Sequence, residues 1–340
     1  MNITIKDISE NIGVSLTTVS RVLSGVAEKY RISAKTASKV LAEAERLGYV
    51  PNQAAVNLRL KKSFSIGLIL PSLANPFFST IASVVNKVLQ PKGYSLLVLD
   101  CDDDEAAEVE AVNHLISRNI DGVLMIPSGK NKVHIEKLLK LNLPVVFVDR
   151  YLKELPISFV STNHFEGAYA MVEYLISCGH KRIACIQGKH HVMSNEERVH
   201  GYKEAISKNK LNYEYVGGNS FTMEDGYLET KLLLQQREKP TAIFALSDTI
   251  LLGVLKALKE DGYDVPTDMS VVSFDNSIYL DYLSCPITSI SQPISEISQM
   301  SIRLLLDKVD KKGKEDTLPE KQEVLISPAV IYRKSVKEVV

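Results

Sequence analysis

Short apolar runs, each followed by a longer amphipathic stretch, recur along the chain from residue 64 onward. They are SIGLILP, YSLLVLD, GVLMIP, VVFVD, RIACIQG, TAIFALSD and SVVSFD. Such β-rich runs between helix-like segments are typical of βαβ units and predict parallel sheets that helices cover on both faces. Because the strands are too many for one compact unit, we expect two doubly wound lobes with a cleft between them. A break around residues 161–167 would separate the two lobes.

Polar residues gather directly after these runs. They are Ser72 and Asn75, Asp100, Ser128, Asp149 and Arg150, Ser247 and Asp248, and Asp275 and Asn276. Ligands of open parallel sheets bind beyond the carboxyl ends of the strands. Each residue alone could be a helix cap or a solvated loop position, but the repetition after strand upon strand favours a shared binding cleft.

The first 50 residues have a different pattern, which predicts three short helices. Thr4 and Asp7 fit a capping box, Ser15 can cap a helix over Leu16–Leu23, and Ser33 can cap a third helix that ends near Gly48. Two helices joined by a tight glycine-containing turn and supported by a third form the helix-turn-helix arrangement. The following stretch, PNQAAVNLRLKKS, has few apolar anchors and is expected to be a linker that can become a helix.

The charge is distributed unevenly along the chain. The whole sequence carries a net charge of −1, but the part up to Lys62 carries +5 and the remainder −6. A basic head on an acidic body indicates a polyanionic partner for the head alone.

Several classes of protein are disfavoured by what the sequence lacks. No window approaches the roughly 18 apolar residues of a membrane span. Residues 1–6 lack the layout of a secretory signal, so we expect a cytoplasmic protein without a membrane partner. The four cysteines have no metal-type spacing, and the adjacent His190 and His191 would not share a face of a helix or strand. We therefore expect no metal site.

Motifs of enzymes on doubly wound folds are also missing. A nicotinamide-dependent oxidoreductase would need Gly-x-Gly-x-x-Gly after the first strand, whereas LPSLANPFF has no glycine there. Neither a P-loop nor a Gly-x-Ser-x-Gly elbow occurs, so we expect no cofactor and no enzymatic activity. The alternative is a solute-binding protein for a sugar or nucleobase without a DNA role, which would require an export signal and a dispensable head.

Taken together, the two parts resemble the lactose-repressor/galactose-repressor (LacI/GalR) family of bacterial transcription regulators. The matching stretches follow the family's order: TIKDISENIGVSLTTVSRVLSG, ISAKTASKVLAEAERLGYVPN, SIGLILPSLANPFF, VVFVDR, LISCGHKRIACIQG, RVHGYKEAI, PTAIFALSDTILLGVLKAL and VPTDMSVVSFDN. The loop SGVAEKYRIS is longer than in the lactose repressor and is similar to that of the fructose-type repressors. The resemblance implies an all-α helix-turn-helix DNA-binding head and an α/β body like the periplasmic sugar-binding proteins, with two doubly wound parallel-sheet lobes.

The expected domains follow from these patterns. They are a helix-turn-helix domain over residues 1–50, a hinge helix or linker over 51–62, and an effector-binding and dimerisation domain over 63–340. Within that last domain, we expect an N-lobe of about residues 63–162 plus 292–322 and a C-lobe of about residues 163–291 plus 323–340.

The resemblance assigns DNA contacts to the head and the linker. Leu16, Thr17 and Arg21 would face base edges in the major groove, because arginine can fork onto guanine and threonine suits a base edge or a thymine methyl. The residues expected at phosphates are Thr4, Ser15 and Thr18. The residues expected in the minor groove are Asn52, Ala55, Leu58 and Arg59, with Leu58 as the wedge that unstacks a base step. Many relatives have arginine or glutamine where this chain has Val56.

The resemblance also implies an effector site in the cleft. The matching positions are Ser72, Asn75, Phe77, Phe78, Ser128, Asp149, Arg150, Arg198, Phe221, Ser247, Asp248, Asp275 and Gln292. Carboxylates and a forked arginine bind adjacent hydroxyls, while an aromatic ring covers the C–H face of a sugar. We therefore expect a sugar or a sugar phosphate as the effector. Relatives often carry asparagine where this chain has Ser247.

The partners implied by the resemblance are double-stranded operator DNA, a small effector and a second copy of the chain. A homodimer would bind a roughly palindromic operator as a repressor, and the effector would change the angle between the lobes. Family members include both inducer-released and corepressor-assisted repressors, so the sign of the response stays open, as does a phosphocarrier protein as a further partner. The segment KSVKEVV shows no leucine heptad that would predict a tetramer.

Overall fold

The computed structural model describes residues 3–49, 62–312 and 320–339. The chain divides into two units, Met1–Ser63 and Phe64–Val340. The segment predicted as a hinge helix, residues 51–62, lies outside the described residues except for Lys62.

In the first unit, each helix begins at a side-chain cap that the sequence predicts. Thr4 and Asp7 form a reciprocal capping box, and Ser15 and Ser33 each accept a hydrogen bond from a backbone N–H three residues later. Gly13 ends the first helix with φ of 65°, a left-handed conformation that glycine adopts without strain. The helices are α1 (Ile5–Ile12), α2 (Leu16–Leu23) and α3 (Ala34–Leu47).

One apolar stripe from each helix forms the core of this unit. The buried members of this core are Ile8, Val19, Val22, Val40 and Ala44. Full burial of an aliphatic side chain of this size contributes roughly 1.5–3 kcal/mol. Leu23 is only partly buried, and Leu41, although in phase with the apolar repeat of α3, is 53 % exposed.

The second unit alternates strands and helices. The strands are β1 (Ser65–Leu70), β2 (Ser95–Asp100), β3 (Gly122–Met125), β4 (Val145–Val148), β5 (Ser158–Thr162), β6 (Ile183–Ile186), β7 (Tyr215–Gly217), β8 (Ala242–Ala245), β9 (Ser270–Phe274), β10 (Thr288–Ser291), β11 (Glu323–Ile326) and β12 (Ala329–Ile331). The helices are α4 (Pro76–Leu89), α5 (Glu105–Ser117), α6 (Val133–Lys140), α7 (His164–Ser177), α8 (Met193–Lys208), α9 (Met223–Leu234), α10 (Asp248–Glu260) and α11 (Ile294–Lys311).

Within the described residues, these strands form two six-stranded sheets. The first has the order β11-β5-β4-β3-β1-β2 with parallel pairing throughout. The second has the order β12-β10-β9-β8-β6-β7, and its pairs are parallel except for the antiparallel β10–β12 pair. The fold class is therefore the expected one, a helix-turn-helix head followed by two doubly wound parallel-sheet lobes.

Helices cover both faces of each sheet. Helices α4 and α11 share one apolar core with the first sheet, while α5 and α6 share another on its opposite face. Helices α7 and α8 cover one face of the second sheet, and α9 and α10 cover the other. We call the first sheet with its four helices the first lobe and the second sheet with its four helices the second lobe.

The chain passes between the lobes after β5, after β10 and between β11 and β12. Strand β11, Glu323–Ile326, pairs with β5 in the first sheet. The expected boundary after residue 322 is therefore wrong by the length of this strand. The reason is that β11 is an edge strand with alternating exposed and half-buried residues, so it lacks the continuous apolar run of the other parallel strands.

Helices α9 and α10 approach each other closely through two glycines. A Cβ atom on Gly253 would overlap the backbone carbonyl oxygen of Met223, and one on Gly226 would overlap that of Ile250. Neither glycine has a flexible neighbour that can move away, so the backbones set the contact distance.

We expect Gly253→Ala to lower the free energy of unfolding by roughly 1–3 kcal/mol, because it overpacks this contact. Urea unfolding of the wild type and the variant measures the change. Helix propensity alone favours alanine over glycine by about 1 kcal/mol. An equal or higher stability of the variant would therefore contradict the close approach of the two backbones.

Candidate functional site

Helix α2 buries one face and leaves the other at the surface. Val19 and Val22 lie in the core, whereas Leu16 is 46 % exposed, Thr17 is exposed and Arg21 is half-buried. A helix whose free face carries an arginine and small hydroxyls can enter the major groove of DNA. The structure brings the three predicted base-contacting residues together on this free face.

The three predicted phosphate-contacting residues lie at helix N-termini. Ser15 Oγ lies 2.9 Å from Thr18 Oγ1 and accepts a hydrogen bond from the Thr18 backbone N–H. Thr4 Oγ1 donates to Asp7 Oδ2 at 2.8 Å. The hydroxyls of Thr4 and Ser15 serve as helix caps. A phosphate bound there would also meet the backbone N–H groups of the first helical turn that the caps leave unpaired.

A contact that the sequence did not predict holds Arg21. Its guanidinium lies 3.8 Å from the centroid of the Tyr30 ring, which is 45 % exposed. Tyr30 ends a short 3-10 turn, Glu28–Tyr30, within the long loop after α2. Stacking on an aromatic face restricts the arginine while its donors remain free for a partner.

The predicted minor-groove residues lie outside the described residues. They are Asn52, Ala55, Leu58 and Arg59. Their roles stay predictions of the resemblance.

A cleft of about 400 Å³ lies between the two lobes at the carboxyl ends of their strands. Ten of the thirteen predicted effector residues line it. They are Ser72, Asn75, Phe77, Phe78, Asp149, Arg150, Arg198, Phe221, Ser247 and Asp275.

The other three predicted residues, Ser128, Asp248 and Gln292, are buried and are not among the residues that line the cleft. The Ser128 backbone N–H donates to Glu108 Oε2 at 2.6 Å. Asp248 is fully buried at the start of α10 and accepts a hydrogen bond from Ser277. Gln292 donates to Asp275 Oδ1 at 2.5 Å, so it positions a cleft residue.

Asp149 and Asp275 occupy equivalent positions in the two lobes. Each directly follows a central strand, β4 in the first sheet and β9 in the second. Both backbones are left-handed, with φ of 61° for Asp149 and 72° for Asp275. This conformation is uncommon for residues other than glycine and aspartate tolerates it better than most. The equivalence places one buried carboxylate from each lobe at the cleft.

A buried polar chain connects Asp149 to the second lobe. Arg198 Nε donates to His164 Nδ1 at 3.3 Å, and His164 Nε2 lies 3.2 Å from Asp149 Oδ1. Burial and the charge of Arg198 lower the pKa of His164. Burial alone would raise the pKa of Asp149, but His164, Arg198 and Arg150 outweigh it and lower that pKa.

The pKa of Asp275 shifts in the opposite direction to that of Asp149. Burial raises its pKa to about 7, against the attraction of Arg198, and the nearby carboxylates Asp248 and Asp149 raise it further. Arg198 itself donates Nη1 to the Leu246 carbonyl at 2.6 Å and lies 3.7 Å from the centroid of the Phe274 ring. The floor of the cleft therefore holds two carboxyls in different electrostatic environments.

Comparison with known proteins identifies the family. A family model described as bacterial regulatory proteins, lacI family, matches residues 4–52, and a periplasmic binding protein-like domain matches residues 172–336. Catabolite control protein A of Priestia megaterium is 30 % identical over 340 residues, which cover 99 % of this chain and 100 % of that protein. The chain belongs to the LacI family.

Solved structures of LacI-family proteins agree with this assignment. A lac repressor dimer bound to operator and an anti-inducer matches with a TM-score of 0.87 and 27 % identity, covering 99 % of this chain and 100 % of that one. A LacI-family regulator of Enterococcus faecium with bound ribose matches with a TM-score of 0.73 and 28 % identity, covering 81 % of this chain and 100 % of that one.

The cleft of this LacI-family protein also contains residues that the sequence analysis did not select. They are Pro71, Ala74, Asp102, Asp103, Lys189, Ser194, Ser220, Thr222, Met223 and Thr249. Asp103 follows β2 and Lys189 follows β6, so the rule about strand ends could have found both. The aromatic residues of the cleft, Phe77, Phe78 and Phe221, were all among the predicted positions. Arg150 lies 5.3 Å from the Phe78 ring and 5.6 Å from the Phe221 ring, measured to the centroids.

The cleft combines carboxylates, hydroxyls, cations and aromatic rings, which is the lining of a site that binds a small polar ligand. Among residues 3–49, 62–312 and 320–339, no group of three or more His, Cys, Asp or Glu residues could hold a metal ion. The helices in the same described ranges include none long and apolar enough to cross a membrane.

Proposed function

We propose that this LacI-family chain is a dimeric transcriptional repressor that acts in the cytoplasm and responds to a small, sugar-like effector. The observation that carries the proposal is the presence, on one chain, of an exposed helix suited to the major groove and of a polar and aromatic cleft between two lobes. The lac repressor and the ribose-bound Enterococcus faecium regulator are similar over most of their length.

The DNA-binding part of the proposal depends on the free face of α2. Arg21 would fork onto guanine, and Leu16 and Thr17 would contact neighbouring base edges. Thr4, Ser15 and Thr18 would hold phosphates on either side of the groove. By resemblance, Leu58 with Asn52, Ala55 and Arg59 would bend the operator from the minor groove.

The effector part depends on the chemistry of the cleft. Asp149, Asp275 and Arg198 would bind ligand hydroxyls from the floor, because carboxylates accept and guanidinium donates. Phe78 and Phe221 would cover the apolar face of a sugar ring. Ser72, Asn75, Phe77, Arg150 and Ser247 would complete the lining, while Gln292, Asp248 and Ser128 support the wall from behind.

Effector binding would change DNA affinity through the angle between the lobes. Ion pairs already cross from lobe to lobe, Lys130 to Glu196 at 3.1 Å and Lys153 to Glu197 at 3.4 Å. A ligand that contacts residues of both lobes favours one separation of the lobes over others. Coupling of this kind is typically worth about 1–3 kcal/mol.

Selection of bound sequences from random duplex DNA tests the DNA-binding part. We expect the purified full-length protein to enrich a palindromic sequence, and fluorescence anisotropy at fixed salt to show tight binding to it and weak binding to a scrambled duplex. Equal, weak affinity for both duplexes would contradict the proposal and favour a solute-binding protein without a DNA role.

The same anisotropy assay tests the effector part. A panel of sugars, sugar phosphates and nucleobases is added at fixed protein and operator concentrations. We expect a member of the panel to change operator affinity by about 5- to 150-fold. A panel that leaves the affinity unchanged, and that also fails to raise the melting temperature of the protein, would contradict a sugar-like effector.

A further inference from the structure

Asp103 engages two cations at the mouth of the cleft. Its Oδ1 accepts from Arg150 Nη1 at 2.9 Å, and its Oδ2 lies 2.6 Å from Lys189 Nζ. Lys189 also donates to the backbone carbonyl of Asp103 at 2.9 Å. Asp103 and Arg150 belong to the first lobe and Lys189 to the second, so one carboxylate pairs with both cations and connects the lobes.

The backbone fixes Asp103 in this place. Its N–H donates to the Pro71 carbonyl at 2.6 Å, and its φ is 52°. The next residue, Asp104, caps α5. Because the turn is anchored on both sides, the carboxylate is held beside the cations, and its side chain is only 22 % exposed.

Every cation that lines the described cleft already has a partner. Arg150 and Lys189 share Asp103, and Arg198 donates to the Leu246 carbonyl and to His164. The carboxylates on the same lining are Asp102, Asp103, Asp149 and Asp275. A phosphate dianion would enter a lining whose cations are already paired and whose ionised carboxylates repel it, so it would lose hydration without gaining an unpaired cation.

We infer that Asp103 makes the cleft select uncharged, hydroxyl-rich ligands over phosphate monoesters. This inference rests on the proposed effector role of the cleft and narrows it, since the sequence resemblance leaves both a sugar and a sugar phosphate open. Removing the Asp103 charge would free Arg150 and Lys189 to face the cleft together. Two adjacent cations of this kind form a phosphate site.

The test compares Asp103→Asn with the wild type by isothermal titration calorimetry, with inorganic phosphate and glucose 6-phosphate as probes at constant ionic strength. Asparagine tolerates a left-handed backbone, so the turn is preserved. We expect the variant to bind both probes at least about tenfold more tightly than the wild type, as charge-assisted hydrogen bonds allow. The double variant D103N/K189Q is expected to lose most of this gain.

Glu214→Gln is the matched control. Glu214 carries the same charge and pairs with Lys203 at 3.1 Å, but it is not among the residues that line the cleft. We expect it to bind the phosphate probes as the wild type does. Asp103→Ser is the second variant if Asp103→Asn fails to fold.

Two results would overturn the inference. The first is equal phosphate affinity in the wild type, E214Q and D103N, which would mean that Asp103 controls no phosphate site. The second is tighter binding of glucose 6-phosphate than of glucose by the wild type. Operator affinity of each variant without any ligand is measured in parallel, so that failure of the proposed DNA-binding function is distinguished from failure of this inference.

Discussion

Arg21→Ala should abolish most of the sequence-specific DNA binding of this protein. A bidentate contact of arginine with guanine is worth about 1–3 kcal/mol, and the proposed dimer would make it in both half-sites. The expected loss is therefore about 2–6 kcal/mol, or at least about 30-fold in operator affinity. Fluorescence anisotropy with the selected operator and a scrambled duplex measures it, because non-specific binding should fall much less.

Two control variants separate base contact from charge. Arg21→Lys keeps the charge but loses the fork, so we expect it to lose most of the specific affinity as well. Arg46→Ala removes one charge from α3, where Arg46 pairs with Glu43 at 2.6 Å and its side chain is 64 % exposed. That variant should show only a small loss that disappears at higher salt. If R21A and R46A weakened the specific complex equally, Arg21 would have no role at a base.

Asp275→Asn is expected to remove a large part of the pH dependence of stability. The pKa of Asp275 is raised by burial to about 7, whereas the ordinary value is 3.8. Between those two values the folded protein holds a proton that the unfolded chain has released, so stability falls as pH rises. The slope is about 1.4 kcal/mol per pH unit, and it fades above pH 7 as the folded protein also loses the proton.

Urea unfolding of the wild type and D275N at several pH values between 5 and 8 measures this effect. The free energy of unfolding of D275N should rise relative to that of the wild type as pH rises to about 7. The Gln292 hydrogen bond is kept, because the asparagine amide oxygen can accept it. Asp149→Asn is the matched control at the equivalent position, because the pKa of Asp149 is lowered. The difference in free energy of unfolding between D149N and the wild type should stay constant over this pH range. Parallel stability profiles of the wild type and D275N would contradict a protonated Asp275.

The architecture was largely predictable because its strongest signals are local. Several central parallel strands are buried on both faces and are unbroken apolar runs, as in VVFV of β4 and AIFA of β8. The caps Thr4, Ser15 and Ser33 marked the helix starts of the first unit. Strands β7, β11 and β12 escaped prediction because they are short edge strands whose residues are only half-buried or exposed. Strands β5 (SFVST) and β10 (TSIS) escaped it because their serines and threonines interrupt the apolar run, although both lie inside a sheet.

The binding residues were predictable where they follow a strand and less so where they depend on tertiary pairing. Asp149 and Asp275 stand directly after β4 and β9, so the sequence located both. The partnership of Asp103 with Lys189 joins residues 86 positions apart in different lobes. No local sequence pattern predicts a contact between residues so far apart in the chain. The same holds for Tyr30 beneath Arg21, where an exposed aromatic ring in a long loop gave no sign of its neighbour.

The three passages of the chain between the two sheets restrict how the lobes can move. Sliding or twisting of one lobe against the other would stretch at least one of these three chain connections. Bending of the lobes toward each other flexes all three connections. The movement that remains is a hinge motion of the two lobes. We therefore expect a ligand in the cleft to act on the opening and closing of the lobes.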